Sequence, residues 1–525
     1  MEIHELNKFS GTLGAGDFLA IDNGVDTSKM AMTDFIDAVA ISQTGEAISA
    51  WLDEHPEATT TVQDGSLTEP KFSSALKLKA IKDYFTPEMF GAKGDGVTDD
   101  TDAIQSAISQ GNIVLFLHDN YLISDTILIP SNRFLYGNGC TIHASHDGKA
   151  FANEHFADNT MDESIVICGF VIDNALNQIR SSGKGNMIYL CGVNNAEISD
   201  CNIINSASDG IYIGSYNLAK LSQNIHIHDC SIDDFTRQGI SVVCGKHVVI
   251  ERCTIGDGAN DINSYSIDLE PNVATDVINV EVKDCTCTYS INTYLSDSSA
   301  ESHLKIENVD VSDNYSGNRS TVNISGHNIL RVEISNCNIT GNIYRGLTLY
   351  QCLMADVNNN IIQASSQDCL YLSEVLRGVV DNNTIKESAS ATYYGVNIVD
   401  SVIAIQNNTI KSNYNGLTVR GTSTAKVINN YIDANTSGVL TENTSMSEIV
   451  NNNIVNCATY GIRLGSSANI ISNNRIYGNS NSPTTRGITF SNSTDNIIIG
   501  NMMKYCTDGI KPAPTTGAVD NNVTL

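Results

Sequence analysis

Positive charge is what this chain has least of. Lys and Arg number 30 against 59 Asp and Glu, a formal net charge of −29. Such a surface repels phosphate backbones and anionic lipid, which excludes nucleic acid as a partner and argues against membrane insertion. It also disfavours a strongly anionic substrate unless basic residues gather locally. The opening MEIHELNKFSG lacks a basic segment followed by an apolar one, so no signal peptide is expected. No apolar run approaches the length of a membrane span. Zinc spacing is missing too, since the 14 cysteines form no CxxC pair and no Cys/His cluster. Instead Cys201, Cys230, Cys253, Cys285 and Cys337 recur in one context, after a polar or charged residue and before a polar one. That is an inward strand position, where a thiol behaves as a small hydrophobe. They are expected to be reduced core thiols of a protein folded in cytosol.

Three regions follow in order. Residues 1–43 hold two β-like runs, GTLGAGDFLAIDNG and SKMAM, and read as a small β-rich module. Residues 44–84 read as a helical linker or neck. One helix carries Trp51, and a second has the loose apolar stripe Phe72, Leu76, Ile81. Little chain lies nearby to cover that stripe, which suggests self-association. From residue 85 to 525 the character changes. Gly91, Gly94 and Gly96 make a tight loop, and a helix is expected over Asp99–Ser109 with Asp99, Asp100 and Asp102 in its first turn. Those carboxylates would repel a phosphate, so the glycines are not a phosphate-binding loop.

From Ile165 onward the chain repeats. A small residue, an aliphatic one, any residue and a second apolar one recur as DGIYIG, QGISVV, YSIDLE, RGLTLY, YGVNIV and YGIRLG. A second motif, Asn-Asn-x-Ile, places its second Asn at Asn360, Asn383, Asn408, Asn430, Asn452 and Asn474, at spacings of 23, 25, 22, 22 and 22. A period in the low twenties with short strands and Asn-rich turns marks a solenoid. The expected fold is all-β, a parallel β-helix of about three strands per coil, with coils stacked at roughly 4.8 Å. Asn at the turns can take left-handed backbone angles and hydrogen-bond its copies above and below. The helix near residue 100 would cap the open end.

Ser266–Asn272, SIDLEPN, is the stretch with chemistry in it. Alternation points Ile267 and Leu269 inward and puts Asp268 and Glu270 side by side on the wet face. Two carboxylates on one rigid strand suit acid/base work on a glycosidic bond. Stacking Ile211, Ile240 and Ile267 brings Tyr212, Ser241 and Asp268 into one outer row, followed by Asn292. One step along lie Gly214, Val243, Glu270 and Tyr294. Arg237 and Gln238 precede the strand one coil earlier. Arg237 would keep one carboxylate ionised while the like-charged neighbour raises the pKa of the other. The expected catalytic set is Asp268, Glu270 and Arg237, with Gln238, Tyr212, Tyr294, Asn292 and Asn272 binding substrate. Other candidates are bland. His226 and His228 lack a third metal ligand, Asp257 and Asp261 match no calcium loop, and Asp209 and Asp368 read as turn residues. No cofactor is expected.

FGAKGDGVTDDTDAIQ, then VLFLHDNYLIS, TILIP and FLYGNGCTI, resembles the pectate-lyase-like superfamily of right-handed parallel β-helices, and with it the bacteriophage tailspike and tail-fibre depolymerases. RQGISVV to SIDLEPN is similar to runs in those proteins. The resemblance implies a right-handed helix and a homotrimer on a virion tail, joined through the N-terminal module. It further implies that the protein binds and cleaves a bacterial surface polysaccharide outside the cell. Hydrolysis is the expected reaction, with a lyase or a non-catalytic adhesin on the same fold as alternatives. The spaced Asp, paired Asp-Asp and His of the polygalacturonase branch have no counterpart near Asp268.

Overall fold

The computed structural model describes residues 18–22, 27–31, 84–175, 185–216, 220–258, 264–271, 277–296, 303–313, 319–341, 344–364, 366–387, 393–443, 447–480, 485–491, 494–511 and 517–524. The expected neck helices, Trp51, the Phe72, Leu76, Ile81 stripe, Asp261 and Asn272 lie outside the described residues. Phe18–Asp22 and Thr27–Ala31 pair antiparallel. From Phe85, which bridges to Val114, the chain winds as a right-handed parallel β-helix of about 15 coils. No described helix is long and apolar enough to cross a membrane.

One coil shows the pattern. Gln238–Val242 forms the first strand, Gly245–Glu251 the second and Thr254–Ile255 a short third, each paired in parallel with its counterpart in the next coil. Ile211, Ile240, Ile267, Ile291, Val322 and Leu347 stack in the bore with no exposed surface. Each such side chain contributes about 1.5–3 kcal/mol relative to exposure. The small residue before them has a steric cause. A Cβ on Gly239 would meet Ile255 Cγ2 at 2.4 Å and Ser266 O at 2.6 Å.

The turn between second and third strands explains both the cysteines and the asparagines. Its first residue is left-handed, as at Asp229 (φ 54°), Arg252 (φ 50°), Asn382 (φ 55°) and Asn429 (φ 58°). Its second residue points inward. There Cys230 and Cys253 turn their thiols onto the carbonyls of His228 and Glu251, at 3.2 and 3.3 Å. Downstream the same position holds Asn. Asn430 Nδ2 donates to Ile405 O, Ile428 O and Asn452 Oδ1, at 2.9, 3.1 and 3.0 Å. Its Oδ1 accepts the backbone N–H of Asn408 at 2.9 Å.

The capping helix spans Thr101–Gln110 and buries Ile104, Ala107 and Ile108. It starts later than expected because two of the three acidic residues serve other contacts. Asp99 ends the strand Asp95–Asp99. The Asp100 carboxylate accepts the N–H groups of Lys93 and Gly94, at 2.7 and 3.0 Å, and so pins the glycine loop.

Candidate active site

The first strands of successive coils build one continuous face. Its central outward row runs Tyr212, Ser241, Asp268, Asn292, Asn323, Thr348, Tyr371 and Asn397 in register. On one side lies the row containing Gln238 and Tyr265. On the other lie Tyr294, Ser325 and Tyr350, in the position Glu270 would take by continuation. A cleft of about 440 Å³ opens on this face. Its lining comes from three coils: Thr236, Arg237 and Gln238; Ser264, Tyr265, Asp268 and Glu270; and Asn292.

Asp268 corrects the expectation of a wet carboxylate pair. It is 1% exposed, whereas Glu270, just past the strand end, is open to solvent. Neighbouring side chains cover the alternate face here, so outward does not mean hydrated. Gln238 Nε2 donates to Asp268 Oδ2 at 3.0 Å, and Asn292 Nδ2 donates to Oδ1 at 2.9 Å. Burial pushes the Asp268 carboxyl up to about 7, helped by the charges of Glu270 and Asp209 and opposed by Asn292 and Arg237. The cleft therefore holds a carboxyl that carries a proton near neutral pH next to an exposed one.

Arg237 lines the cleft, but its nearest carboxylate is Asp209, with Nε 3.6 Å from Oδ1. The turn-residue reading of Asp209 thus falls short. Asp209 is wholly buried, its Oδ1 accepts the backbone N–H of Gln238 at 3.2 Å, and Oδ2 has no hydrogen-bond partner among the described residues. Burial raises its pKa to about 6, against the pull of Arg237. Arg237 thus lines the cleft with Asp268 and Glu270 while its ion pair is with buried Asp209 of the preceding coil.

The expected binding residues divide. Gln238 is buried and committed to the protein, accepting the Tyr265 N–H at 2.8 Å on the oxygen of the amide that holds Asp268. Asn292 likewise orients Asp268. Tyr212 lies two coils away and stacks on Tyr189, with centroids 4.6 Å apart. Tyr294 is exposed beside the cleft. Tyr265 was not anticipated, yet it lines the cleft, with the Arg319 guanidinium 5.1 Å from its ring centroid. Arg319 is fixed by Asp313, with Nη2 2.8 Å from Oδ1. Extending the coil alignment two residues back puts Asp209, Gln238 and Tyr265 in one row and would have found two of these. Nothing local in the sequence marks Arg319.

The histidines sit on the second strands. His226 contacts Glu251 at 3.0 Å, and His228 contacts Glu197 at 3.3 Å and Asp229 at 2.7 Å. No group of three or more His, Cys, Asp or Glu among the described residues is arranged to hold a metal. Asp257 accepts from Thr288 Oγ1 at 3.2 Å.

Residues 88–287, which include the cleft residues up to Glu270, match the family described as rhamnogalacturonase A/epimerase, pectate lyase-like. Residues 389–523 match the right-handed beta helix region. The capsule K30/K69-specific depolymerase of Klebsiella phage K64-1 is 25% identical over 209 residues, 35% of this chain and 25% of the relative. The preneck appendage protein of Bacillus phage PZA is 24% identical over 377 residues, 64% of this chain and 41% of the relative. The chain thus spans a quarter to two fifths of the length of these relatives. Among solved structures, the N-terminal fragment of bacteriophage phi29 gene product 12 superposes with a TM-score of 0.48 at 16% identity, covering 80% of this chain and 84% of that one.

Proposed function

We propose that this chain is part of a phage tail and that it binds and cleaves a bacterial surface polysaccharide in the cleft over Asp268 and Glu270. The observation that carries the reading is the unequal carboxyl pair, one buried with a pKa of about 7 and one exposed, on a single strand end. A buried acid of that pKa can protonate a leaving glycosidic oxygen at neutral pH. Glu270 is the partner carboxylate, acting on water or on the sugar itself. Gln238 and Asn292 orient the acid, Arg237 balances the charge of Asp209, and Tyr265 and Tyr294 offer flat apolar faces to sugar rings. The depolymerase and appendage relatives support a tail location and a polysaccharide ligand. The assembly proposed is a homotrimer, and light scattering at a single chain mass of 56.5 kDa would refute it.

A second reading, a non-catalytic glycan adhesin, draws on one observation: amide donors occupy both oxygens of Asp268. Incubation with purified host polysaccharides separates the readings. Shorter chains without new ultraviolet absorbance mean hydrolysis, shorter chains with it mean β-elimination, and binding without shortening means an adhesin.

A further inference from the structure

Beyond the cleft the same face carries a second built constellation. Arg345 leans forward one coil onto the Tyr371 ring, its guanidinium carbon 3.9 Å from the centroid. Its Nε lies 3.9 Å from Oδ2 of buried Asp368, too far to hydrogen-bond, and is itself buried without a hydrogen-bond partner among the described residues. Asn397 joins the two sides. Its Nδ2 donates to Asp368 Oδ2 at 2.7 Å, and its Oδ1 accepts Arg420 Nε at 3.1 Å. Arg420 leans back one coil to do so and lies over the Tyr394 ring, 5.2 Å from the centroid. Arg345 thus meets the central row at Tyr371 and Arg420 meets it at Asn397, the neighbouring position in that row. Both are braced through Nε or an aromatic ring, and among the described residues their terminal nitrogens have no partner.

We propose that Arg345 and Arg420 form an acidic-sugar subsite that takes the carboxylate of a uronic-acid residue while the polymer is held in the cleft. The inference rests on the polysaccharide reading above and adds the chemical class of the substrate. A planar guanidinium with free terminal N–H groups matches a carboxylate in a bidentate fork. The chain as a whole carries 59 acidic residues to 30 basic, so a braced arginine pair on the substrate face runs against the overall charge. The Tyr371 coil lies four steps beyond Asp268, or about 19 Å at the coil rise. Exposed Tyr294 and the Tyr350 row lie between, so one extended polymer could touch both sites.

The test uses purified uronic-acid-containing capsular polysaccharides, each beside its carboxyl-reduced form. Affinity is measured in the Asp268→Asn background so that cleavage does not consume the ligand. The expected result is at least about tenfold tighter binding of an acidic polymer than of its reduced form, the scale of a lost charge-assisted pair. Arg345→Gln and Arg420→Gln should each narrow that ratio and weaken its salt dependence. Arg345→Lys keeps the charge but not the fork and should recover only part. Melting temperatures of all variants separate misfolding from lost recognition. Equal affinity for acidic and reduced polymers, or a ratio unmoved in well-folded variants, overturns the inference while leaving the polysaccharide reading intact. If no polymer of either kind is bound, both fall together.

Discussion

Asn292 Nδ2 donates to Asp268 Oδ1 at 2.9 Å from one coil further on, and Asn292 Oδ1 in turn accepts Asn323 Nδ2 at 2.9 Å. The carboxyl at the centre of the cleft is therefore the end of an amide chain running along the helix axis. Its orientation is set by the coil stacking itself.

Removing either carboxyl function should abolish most cleavage but not binding. Asp268→Asn and Glu270→Gln are each expected to slow depolymerisation about 10²–10⁴-fold. Polymer affinity should stay close to the parent value, because shape and aromatic faces remain. Reducing-end assays with a parallel binding measurement check this. Parent-rate cleavage by both variants would place the chemistry elsewhere.

The rate should depend on pH in the direction set by Asp268. If it is the proton donor, activity declines as pH rises through about 7, where the buried carboxyl ionises. Initial rates from pH 5 to 9 test this. A profile flat through neutrality would remove Asp268 from the acid role.

Stability should respond to the same group. Between the ordinary value of 3.8 and about 7, an unfolded Asp268 is ionised while the folded one keeps its proton. The folded state then binds more protons, so this group's contribution to stability falls as pH rises through that window and levels off above it. Asp268→Asn does not titrate. Denaturation midpoints of parent and variant should diverge in the variant's favour between about pH 4 and 7, relative to their difference at lower pH. Parallel curves would contradict the buried-acid assignment.

The two asparagines of each turn should differ sharply on substitution. Asn430→Ala removes a side chain that satisfies Ile405 O, Ile428 O, Asn452 Oδ1 and the Asn408 N–H. Buried groups left unpaired should cost about 2–4 kcal/mol. Asn429, at φ 58°, supplies mainly backbone angle, so Asn429→Gly should be nearly neutral. Thermal melts of the two variants give the comparison.

The fold was legible because its period is written in residue types. Gly or Ser before an inward aliphatic, and a left-handed Asn before a stacked Asn, are steric and hydrogen-bonding requirements repeated at every coil. Cys201, Cys230 and Cys253 could be placed inside for the same reason. The site was half legible. Strand alternation put Asp268 and Glu270 on the outward side and in register with Tyr212 and Asn292. It did not tell that Asp268 is buried, because its side chain is held by Gln238 and Asn292 from neighbouring coils. Asp209 looked like a turn residue because aspartate before a strand usually is one. Its partner Arg237 lies a full coil later, and Arg319 reaches Tyr265 from 54 positions along the chain. Such contacts carry no periodic signal.

The asparagine ladder is directional. From Asn360 to Asn501 every side-chain amide gives a hydrogen to the next copy toward the C-terminus, the last to Asn522. Their dipoles align head to tail, so each bond polarises the next. Cutting the stack is then unsymmetrical. At Asn430, loss of the coil on the N-terminal side takes both donors from Oδ1, whereas loss on the C-terminal side takes the acceptor of its backbone N–H, and an orphaned N–H is the rarer defect in folded proteins. The column behaves as a polar filament with a tolerant end and an exacting one, and fraying should begin at the exacting end.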